Sequence, residues 1–310
     1  MKISILTPTY NRAKLLNKLY ESLLKNLKNE VEIEWVIMDD GSTDETEEII
    51  KQFQEERKIE IKYNKQKNQG KMVAINNIVQ QATGEIIIDC DSDDYFTDDA
   101  FKTVKEEYEK YKERKDIYGI CFLKNDQNGN NMGNEFKNKE TTMFDLYFKE
   151  KENGEKAVAF YRNVRKQYKH ELEHNERFVT EARMYHKMDE KYKMICVNKP
   201  IMICEYQKEG YTNNIQKQFQ ENPYGYYEYF KEILNKDMTG VQFNKRLYAI
   251  KHYILFGYII NKTEIDKIKN LSNKILYILL LIPGIIKSKK ILKGEKNEKW
   301  QDNYLNNRKQ

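Results

Sequence analysis

The apolar run at residues 86–88, three consecutive isoleucines, ends in a cluster of carboxylates that includes Asp91, Asp93 and Asp94. A short isoleucine run of this kind is typical of a strand that is buried on both faces of a sheet. Such a strand delivers the acids that follow it to the sheet edge, where carboxylate oxygens are suited to hold a hard divalent cation. A solvated acidic turn gives the same local pattern, so this stretch alone leaves both interpretations open.

Strands alternate with amphipathic helices through the first third of the chain. The apolar patterns predict strands at residues 3–6, 33–38, 59–63 and 86–88. Leucines at helical spacing predict a helix after the first strand, and the spacing of Ser42 and Glu45 predicts a capping box that starts the next one. This alternation predicts an α/β fold with a largely parallel central sheet covered by helices. In such sheets ligands bind beyond the carboxyl ends of the strands.

The second part of the chain is predicted to add strands and then to become helical. Further strands are predicted at residues 117–123, 157–161, 194–197 and 201–206, with a turn at 198–200 between the last two. Helices are predicted at residues 99–114 and 175–188. From about residue 222 the pattern is helical throughout, so we expect one domain over residues 1–215 and a helical C-terminal region over 216–310.

Composition limits the classes of partner. Lys and Arg total 54 against 49 for Asp and Glu, a net charge of +5 that is spread along the chain. This mild excess favours an anionic ligand or a membrane surface and argues against a nucleic-acid binder, whose basic patches are denser. The cysteines have no metal-ligand spacing, and we expect buried thiols in a reducing cytosol. The first residues do not resemble a signal peptide, so we expect the chain to begin in the cytoplasm.

A second apolar segment lies near the C-terminus, at residues 275–286. It is flanked by lysines at positions 274, 287, 289 and 290. It is too short to span a bilayer comfortably as a single helix, and the Pro-Gly pair at 283–284 is expected to break it. A basic-flanked segment of this length predicts an interfacial anchor over residues 275–292, peripheral on the inner face of the cell membrane. The alternative is a core or dimer helix, and an oligomer is therefore possible.

Three polar loops, at residues 8–12, 39–44 and 91–94, follow three of the predicted strands, with the stretch 68–71 and Asn76 between them. In order and spacing these motifs resemble the nucleotide-binding half of family 2 glycosyltransferases of the bacterial capsule or cell-surface polysaccharide type. The resemblance covers residues 3–98. It implies a GT-A fold, with a nucleotide-sugar-binding half over 1–98 and an acceptor half over 99–215.

The resemblance also implies an activity, the inverting and metal-dependent transfer of a sugar. The donor would be a nucleotide sugar, most often one that carries UDP. The acceptor would be a hydroxyl of a cell-surface glycan or of its lipid-linked precursor. The residues implied in donor binding are Thr7, Pro8, Tyr10, Arg12, Asp40, Lys71, Asn76, Asp91 and Ser92.

The implied roles differ along this donor set. Thr7, Pro8 and Tyr10 would line the base through backbone and ring, and Arg12 would lie near the nucleotide. Asp40 would accept a hydrogen bond from the uracil imide, a role suited to a carboxylate. Lys71 would approach the diphosphate as a point charge.

The stretch Asp91-Ser92-Asp93 resembles the DXD motif of the family. A departing diphosphate gathers negative charge, which a divalent cation stabilises, and hard oxygen ligands favour Mn²⁺ or Mg²⁺. The resemblance places Asp93 on the metal and Asp91 on both donor and metal. Asp94 is expected to be structural or to support these ligands, and Asp89 to face back into the sheet edge or cap a neighbour.

Inversion needs a general base on the acceptor side, and residues 176–183 resemble the acidic motif that supplies it. Glu181 is the predicted base. Ala182 stands where a second acid is often found, so Glu176 is the competing candidate. The following segment, 205–214, resembles a lid over the diphosphate in which Lys208 or Tyr211 would reach phosphate.

Two other functions remain open, a sugar nucleotidyltransferase of related fold and a membrane-associated scaffold that binds the donor without turnover. The first would need a glycine-rich loop after the first strand, and residues 8–12 contain no glycine. His170 and His174 have the spacing of a helical metal pair. Since no zinc-peptidase motif accompanies them, we expect both to be exposed or on the acceptor side.

Overall fold

The computed structural model describes residues 1–150, 152–205 and 215–292. Its strands are β1 (Lys2–Thr9), β2 (Glu32–Asp39), β3 (Glu60–Lys65), β4 (Ile86–Asp89), β5 (Tyr95–Phe96), β6 (Ile117–Asn125), β7 (Glu140–Thr141), β8 (Lys156–Tyr161) and β9 (Lys193–Ile203). Its α-helices are α1 (Ala13–Asn26), α2 (Thr46–Glu56), α3 (Lys71–Ile78), α4 (Ala100–Tyr111), α5 (Met143–Phe148), α6 (Arg162–Arg165), α7 (Glu181–Met188), α8 (Ile215–Glu221), α9 (Pro223–Leu234), α10 (Phe243–Ile259) and α11 (Leu271–Leu292).

The strands form one mixed sheet in the order β3-β2-β1-β4-β8-β6-β9-β5, and β7 pairs with β9. The first four strands in this order are parallel, whereas β8 is antiparallel to both of its neighbours. The predicted α/β fold is confirmed. Because the chain passes from β1 to one side and returns at β4 on the other, the order reverses between these two strands, and a crevice forms there at their carboxyl ends.

The first helix packs onto the sheet through the predicted leucine stripe. Leu16, Leu19 and Leu23 of α1 are buried, and Tyr20 beside them stacks on Phe53 of α2 with ring centroids 4.0 Å apart. Aromatic stacking of this kind adds to the gain from burying apolar surface. These contacts fix α1 and α2 on one face of the parallel strands, and so fix the loops that precede them.

Several predicted boundaries differ from the structure. The capping box is wrong, because α2 begins only at Thr46 and the Ser42 hydroxyl instead accepts a hydrogen bond from the backbone N–H of Asn11 at 2.9 Å. The helix predicted over 175–188 is limited to α7. The two strands predicted around a turn at 198–200 form one strand, β9, with an irregular register against β6. Asn198 stabilises the irregular part of β9, since its side-chain amide exchanges two hydrogen bonds with the backbone of Phe136.

The C-terminal region is helical, as predicted, and its helices α9, α10 and α11 build a second apolar core. The predicted break in the last of them is wrong, because α11 continues through Pro283 while packed along α10. A Cβ at Gly284 would lie 2.8 Å from the side chain of Ile254, so the glycine permits close contact. In the described part of the chain, no helix has both the length and the apolar character needed to cross a membrane. Cys90 and Cys121 are buried, as predicted from the apolar runs that contain them, and Cys196 and Cys204 are buried as well.

A buried carboxylate, Glu34, joins the amino ends of the parallel strands. It accepts hydrogen bonds from the Ser4 hydroxyl, from Lys62 Nζ at 2.7 Å and from Thr83 Oγ1 at 2.9 Å. Burial alone would raise the pKa of Glu34, but the hydrogen bonds from Lys62, Ser4 and Thr83 outweigh burial and lower that pKa to about 2. The ionised form therefore stabilises the fold, because it ties β1, β2, β3 and the turn before β4 together.

We expect Glu34→Gln to reduce the free energy of unfolding at pH 7 by about 2–3 kcal/mol. Since the pKa of Glu34 is lower in the folded than in the unfolded chain, this contribution is present above about pH 5 and is lost as the pH falls. The difference between wild type and variant should therefore shrink from about pH 5 towards pH 3. Urea unfolding across this range measures it, with exposed Glu55→Gln on α2 as the control. A difference that is independent of pH would contradict the assignment.

Candidate active site at the carboxyl ends of the parallel strands

The loops after β1 and β2 are joined to each other by hydrogen bonds. Asn11, in the left-handed backbone region at φ 51°, donates its N–H to Ser42 and accepts the N–H of Thr43 through Oδ1 at 2.8 Å. Asp44 Oδ2 accepts the N–H of Ala13 at 3.1 Å, at the start of α1. As predicted, the two loops gather at one edge, and Arg12 is held beside them.

Asp40 is committed to the loop that leads into α3. Its Oδ1 accepts from Gln66 Nε2 at 2.7 Å and from the N–H of Gln69 at 2.8 Å, and its Oδ2 accepts the N–H of Gly70 at 2.7 Å. The carboxylate thus fixes where α3 begins and where Lys71, its first residue, stands. The predicted bond between Asp40 and uracil stays a prediction, and any such bond would have to share an oxygen with these donors.

The predicted base-lining residues differ in how far they reach solvent. β1 extends to Thr9, so the strand is longer than the predicted residues 3–6 and the loop predicted over residues 8–12 begins only at Tyr10. Thr7 is fully buried, and its hydroxyl accepts from Trp35 Nε1 at 2.9 Å, while Pro8 is also buried. The Tyr10 ring is 47% exposed. Of these three residues, Tyr10 is the one whose exposure suits it to meet a ligand, and base contacts by Thr7 and Pro8 stay predictions.

Asn76 and Ser92 are less available than the donor set implies. The Asn76 amide exchanges two hydrogen bonds with the backbone of His170, at 2.8 and 2.9 Å, and so ties α3 to the segment after α6. Ser92 is buried between the aspartates. Donor contacts by these two residues stay predictions.

The centre of the site is the ammonium of Lys71, which lies between two carboxylates. Its Nζ is 2.7 Å from Asp91 and 2.8 Å from Glu181. Burial alone would lower the pKa of Lys71, but the charges of Asp91 and Glu181 outweigh it and raise that pKa. Lys71 in turn holds the pKa of Glu181 below its ordinary value. The acid after β4 and the predicted base on α7 therefore meet at one cation.

The carboxylate of Asp93 lies close to the negative charges of Asp91 and Asp94. Burial, followed by the charges of Asp91 and Asp94, raises the pKa of Asp93 to about 6, and Arg12, 3.9 Å away, relieves only part of this. Asp94 is buried and paired with Lys124 at 2.8 Å, which fits its expected structural role. The negative charge of Asp93 is therefore compensated only in part, by Arg12.

These residues fit a divalent cation that arrives with a diphosphate. Within residues 1–150, 152–205 and 215–292, no group of three or more His, Cys, Asp or Glu side chains is arranged to hold a metal ion. Sites for Mg²⁺ and similar ions, however, commonly use one or two carboxylates and complete the shell with substrate phosphates and water. Asp91 and Asp93 supply two carboxylates, and a bound cation would favour the ionised form of Asp93, which burial and the charges of Asp91 and Asp94 disfavour.

The two candidate bases occupy different environments. Glu176 accepts the N–H groups of Tyr224 and Gly225, both at 2.7 Å, and so satisfies the amino end of α9. Glu181 opens α7 and faces Lys71. The contacts give Glu176 a structural role and leave Glu181 as the acid at the site. The predicted lid residues Lys208 and Tyr211 lie outside the described residues.

No local pattern marked the burial of two groups beneath the site, Arg165 and His170. Arg165 is fully buried, and its Nη2 bonds Asp89 Oδ2 at 3.0 Å, which accounts for the carboxylate expected to face the sheet. The expectation for His170 is wrong in part, because it is 3% exposed and lies outside any helix, whereas His174 is exposed. Burial lowers the pKa of His170 to about 3, so its ring is neutral. Arg165 belongs to no local motif, and the spacing of His170 with His174 does not indicate that only His170 is buried.

The comparisons with known proteins agree with this geometry. The sequence profile described as Glycosyl transferase family 2 matches residues 4–169, which contain β2, β3, β4 and most of β1. The chain belongs to this family. One relative is the poly(ribitol-phosphate) beta-N-acetylglucosaminyltransferase TarS of Staphylococcus aureus, to which this chain is 33% identical over 102 residues. The aligned segment covers 33% of this chain and 18% of TarS.

A second relative and two solved structures extend the likeness. The GalNAc(5)-diNAcBac-PP-undecaprenol beta-1,3-glucosyltransferase of Campylobacter jejuni is 29% identical over 140 residues, 44% of this chain and 43% of that protein. The chain thus spans less than half of the length of these curated relatives. TarS 1-349 with UDP-GlcNAc superposes with a TM-score of 0.55 at 19% identity, over 94% of this chain and 81% of that one. Mannosyltransferase PcManGT of Pyrobaculum calidifontis, with GDP-Man and Mn²⁺, gives 0.57 at 13% identity, over 95% and 88%. These likenesses confirm the GT-A fold.

We expect Gly70→Ala to destabilise the protein by roughly 2–4 kcal/mol. Gly70 has φ 99°, and a Cβ there would lie 2.4 Å from the carbonyl oxygen of Arg177. Gly129→Ala is the matched control, because Gly129 also has a positive φ, 81°, but a Cβ would meet no atom within 4 Å. The control should lose only about 1 kcal/mol. Chemical unfolding compares them, and equal losses would show that the clash at Gly70 is relieved at no cost.

Proposed function

We propose that this chain is an inverting, metal-dependent glycosyltransferase that moves a sugar from a nucleotide sugar, with UDP as the favoured nucleotide, to a hydroxyl group. The observation that carries the proposal is the bridge made by Lys71 between Asp91 and Glu181. It brings the acid assigned to the donor and the acid assigned to the acceptor within one side chain of each other. A single displacement needs this proximity, because the donor and the attacking hydroxyl react while both are bound.

In the proposed reaction, the acceptor oxygen attacks the anomeric carbon and the bond from that carbon to the diphosphate oxygen breaks. The hydroxyl proton passes to the carboxylate of Glu181. Lys71 holds Glu181 ionised, as a proton acceptor must be. The ammonium of Lys71 is also suited to pair with the diphosphate, since it stands at the start of α3 beside Asp91.

Asp91 and Asp93 would hold the cation, Mn²⁺ or Mg²⁺. When bound, the cation supplies positive charge that stabilises the departing diphosphate. The crowded carboxylates around Asp93 support this assignment, and so does the presence of Mn²⁺ with a nucleotide sugar in the PcManGT structure. The UDP-GlcNAc complex of TarS supports a UDP-sugar as the donor.

The proposed acceptor is a cell-surface glycan or its lipid-linked precursor. Support comes from the names of two relatives, one acting on poly(ribitol-phosphate) and the other on an undecaprenol-linked glycan. Such an acceptor would place the enzyme in the cytoplasm, at the inner face of the cell membrane. The family membership disfavours the nucleotidyltransferase alternative. A scaffold that binds the donor without turnover is separated from the enzyme by donor hydrolysis or transfer.

We expect Glu181→Gln to reduce sugar transfer by about 100-fold or more while UDP binding is kept, because an amide cannot accept the proton. Glu176→Gln is the matched control. It weakens the end of α9 and should lower thermal stability, yet turnover per folded molecule should stay near wild type. Transfer assays with radiolabelled UDP-sugars and calorimetry with UDP measure both effects. Full turnover by Glu181→Gln, or its loss in Glu176→Gln alone, would transfer the role to another residue.

We expect UDP to raise the melting temperature more with Mn²⁺ than with a chelator, and Asp93→Asn to remove most of this metal-dependent increment. Ligand binding stabilises by mass action, about 2.7 kcal/mol at 100 times Kd. Asp98→Asn, an exposed acid four residues from Asp94, should keep the increment. Thermal unfolding in the presence of UDP, GDP or dTDP also ranks the nucleotides. An unchanged increment in Asp93→Asn would remove this residue from the metal site.

A further inference from the structure

The outward side of α11 is an uninterrupted apolar surface. Its large side chains are between 52% and 72% exposed, and they are Leu271, Ile275, Ile278, Leu279, Ile282 and Ile286. Their spacing follows the helical period, so they form one stripe along the helix, which we call the outer stripe. Scattered exposed apolar residues need no explanation, but a contiguous stripe of this size marks a surface that meets a partner or a membrane.

The opposite side of α11 is anchored to the protein. Tyr277 is 2% exposed within the second core, and Leu280, Leu281 and Ile285 pack against that core. Gly284 allows close contact with Ile254 of α10. The helix could not leave this position without opening the core, so it lies along the protein and presents the outer stripe sideways.

The geometry excludes a transmembrane role for this helix. The apolar segment between the flanking lysines, residues 275–286, has twelve residues and is about 18 Å long as a helix. The hydrocarbon core of a bilayer is about 30 Å thick. A helix that is fixed on one side and apolar on the other is suited to lie in the plane of the membrane surface.

The charge around the stripe favours lipid over a second copy of the chain. The sequence from 267 to 294 contains no Asp or Glu and has lysines at positions 267, 269, 274, 287, 289, 290 and 293. Two copies that met through this face would bring lysine-rich segments together without acids to pair with. Anionic headgroups attract such lysines while the acyl boundary accepts the apolar side chains.

We propose that the outer stripe of α11 binds the surface of a membrane that contains anionic lipid, with α11 parallel to the bilayer plane. This deepens the proposed function, because a lipid-linked acceptor lies at the same surface. It stands independently of the reaction, since lipid binding is measured without donor or acceptor.

The test is flotation of the 310-residue chain with vesicles of phosphatidylcholine alone and with mixed vesicles that also contain phosphatidylglycerol. We expect binding to the mixed vesicles, and a decrease of at least about tenfold in Ile278→Ser/Leu279→Ser/Ile282→Ser. These positions are exposed, so the variant should keep its fold and its UDP binding, which calorimetry checks. Leu27→Ser, at an exposed leucine just after α1, is the matched control and should bind as wild type does.

A second variant separates the electrostatic part. Lys274→Glu/Lys289→Glu should weaken binding to mixed vesicles by about tenfold or more, because each lysine near an anionic surface contributes on the order of 1 kcal/mol. Sedimentation of the free chain shows whether the serine variant changes its oligomeric state. Absence of wild-type binding to mixed vesicles, unchanged binding of the serine variant, or a dimer that this variant converts to a monomer would each overturn the proposal.

Discussion

The ammonium of Lys71 is the interaction on which the arrangement of the site depends. It is a single positive charge between Asp91, which follows β4, and Glu181, which opens α7, and so it links the end of a parallel strand to that helix. Without it, two carboxylates would face each other beside Asp93, whose own charge is already poorly compensated. The position of Lys71 is set by the loop that precedes it, because Asp40 binds the backbone of that loop, which ends at Gly70.

This chain of dependence explains why the predicted donor residues divide into two groups. Thr7, Asp40 and Asn76 use their side chains within the protein and set the shape of the edge. Tyr10 and Asp91 present theirs to solvent. The sequence motifs include both groups, because the residues that shape the edge of the sheet and the residues that would contact the ligand are of similar types.

The local patterns predicted the fold well, and the long-range contacts poorly. The isoleucine run before Asp89 and the leucine stripe of α1 repeat at the strand and helix periods, so buried elements follow from them directly. The partner of Asp89, by contrast, is Arg165, 76 residues away, and no local pattern joins the two. The structural role of Glu176 also could not be predicted from the local sequence, since it depends on the start of a helix 48 residues later. Where burial and pairing are set by tertiary contacts, residue type alone leaves the alternatives open.

The commitment of Asp40 to backbone amides has a consequence for redesign of the nucleotide preference. A substitution there would alter more than a contact with a base, because it would release the amides of Gln69 and Gly70 and displace the start of α3. If Asp40 contacts the base as proposed, nucleotide selectivity and architecture are linked at this position, because substitutions at residue 40 would also displace the loop that leads into α3. The side chain of Tyr10 is exposed and does not hold the start of α3, so residue 10 is a position where a change of specificity can be explored on an intact scaffold.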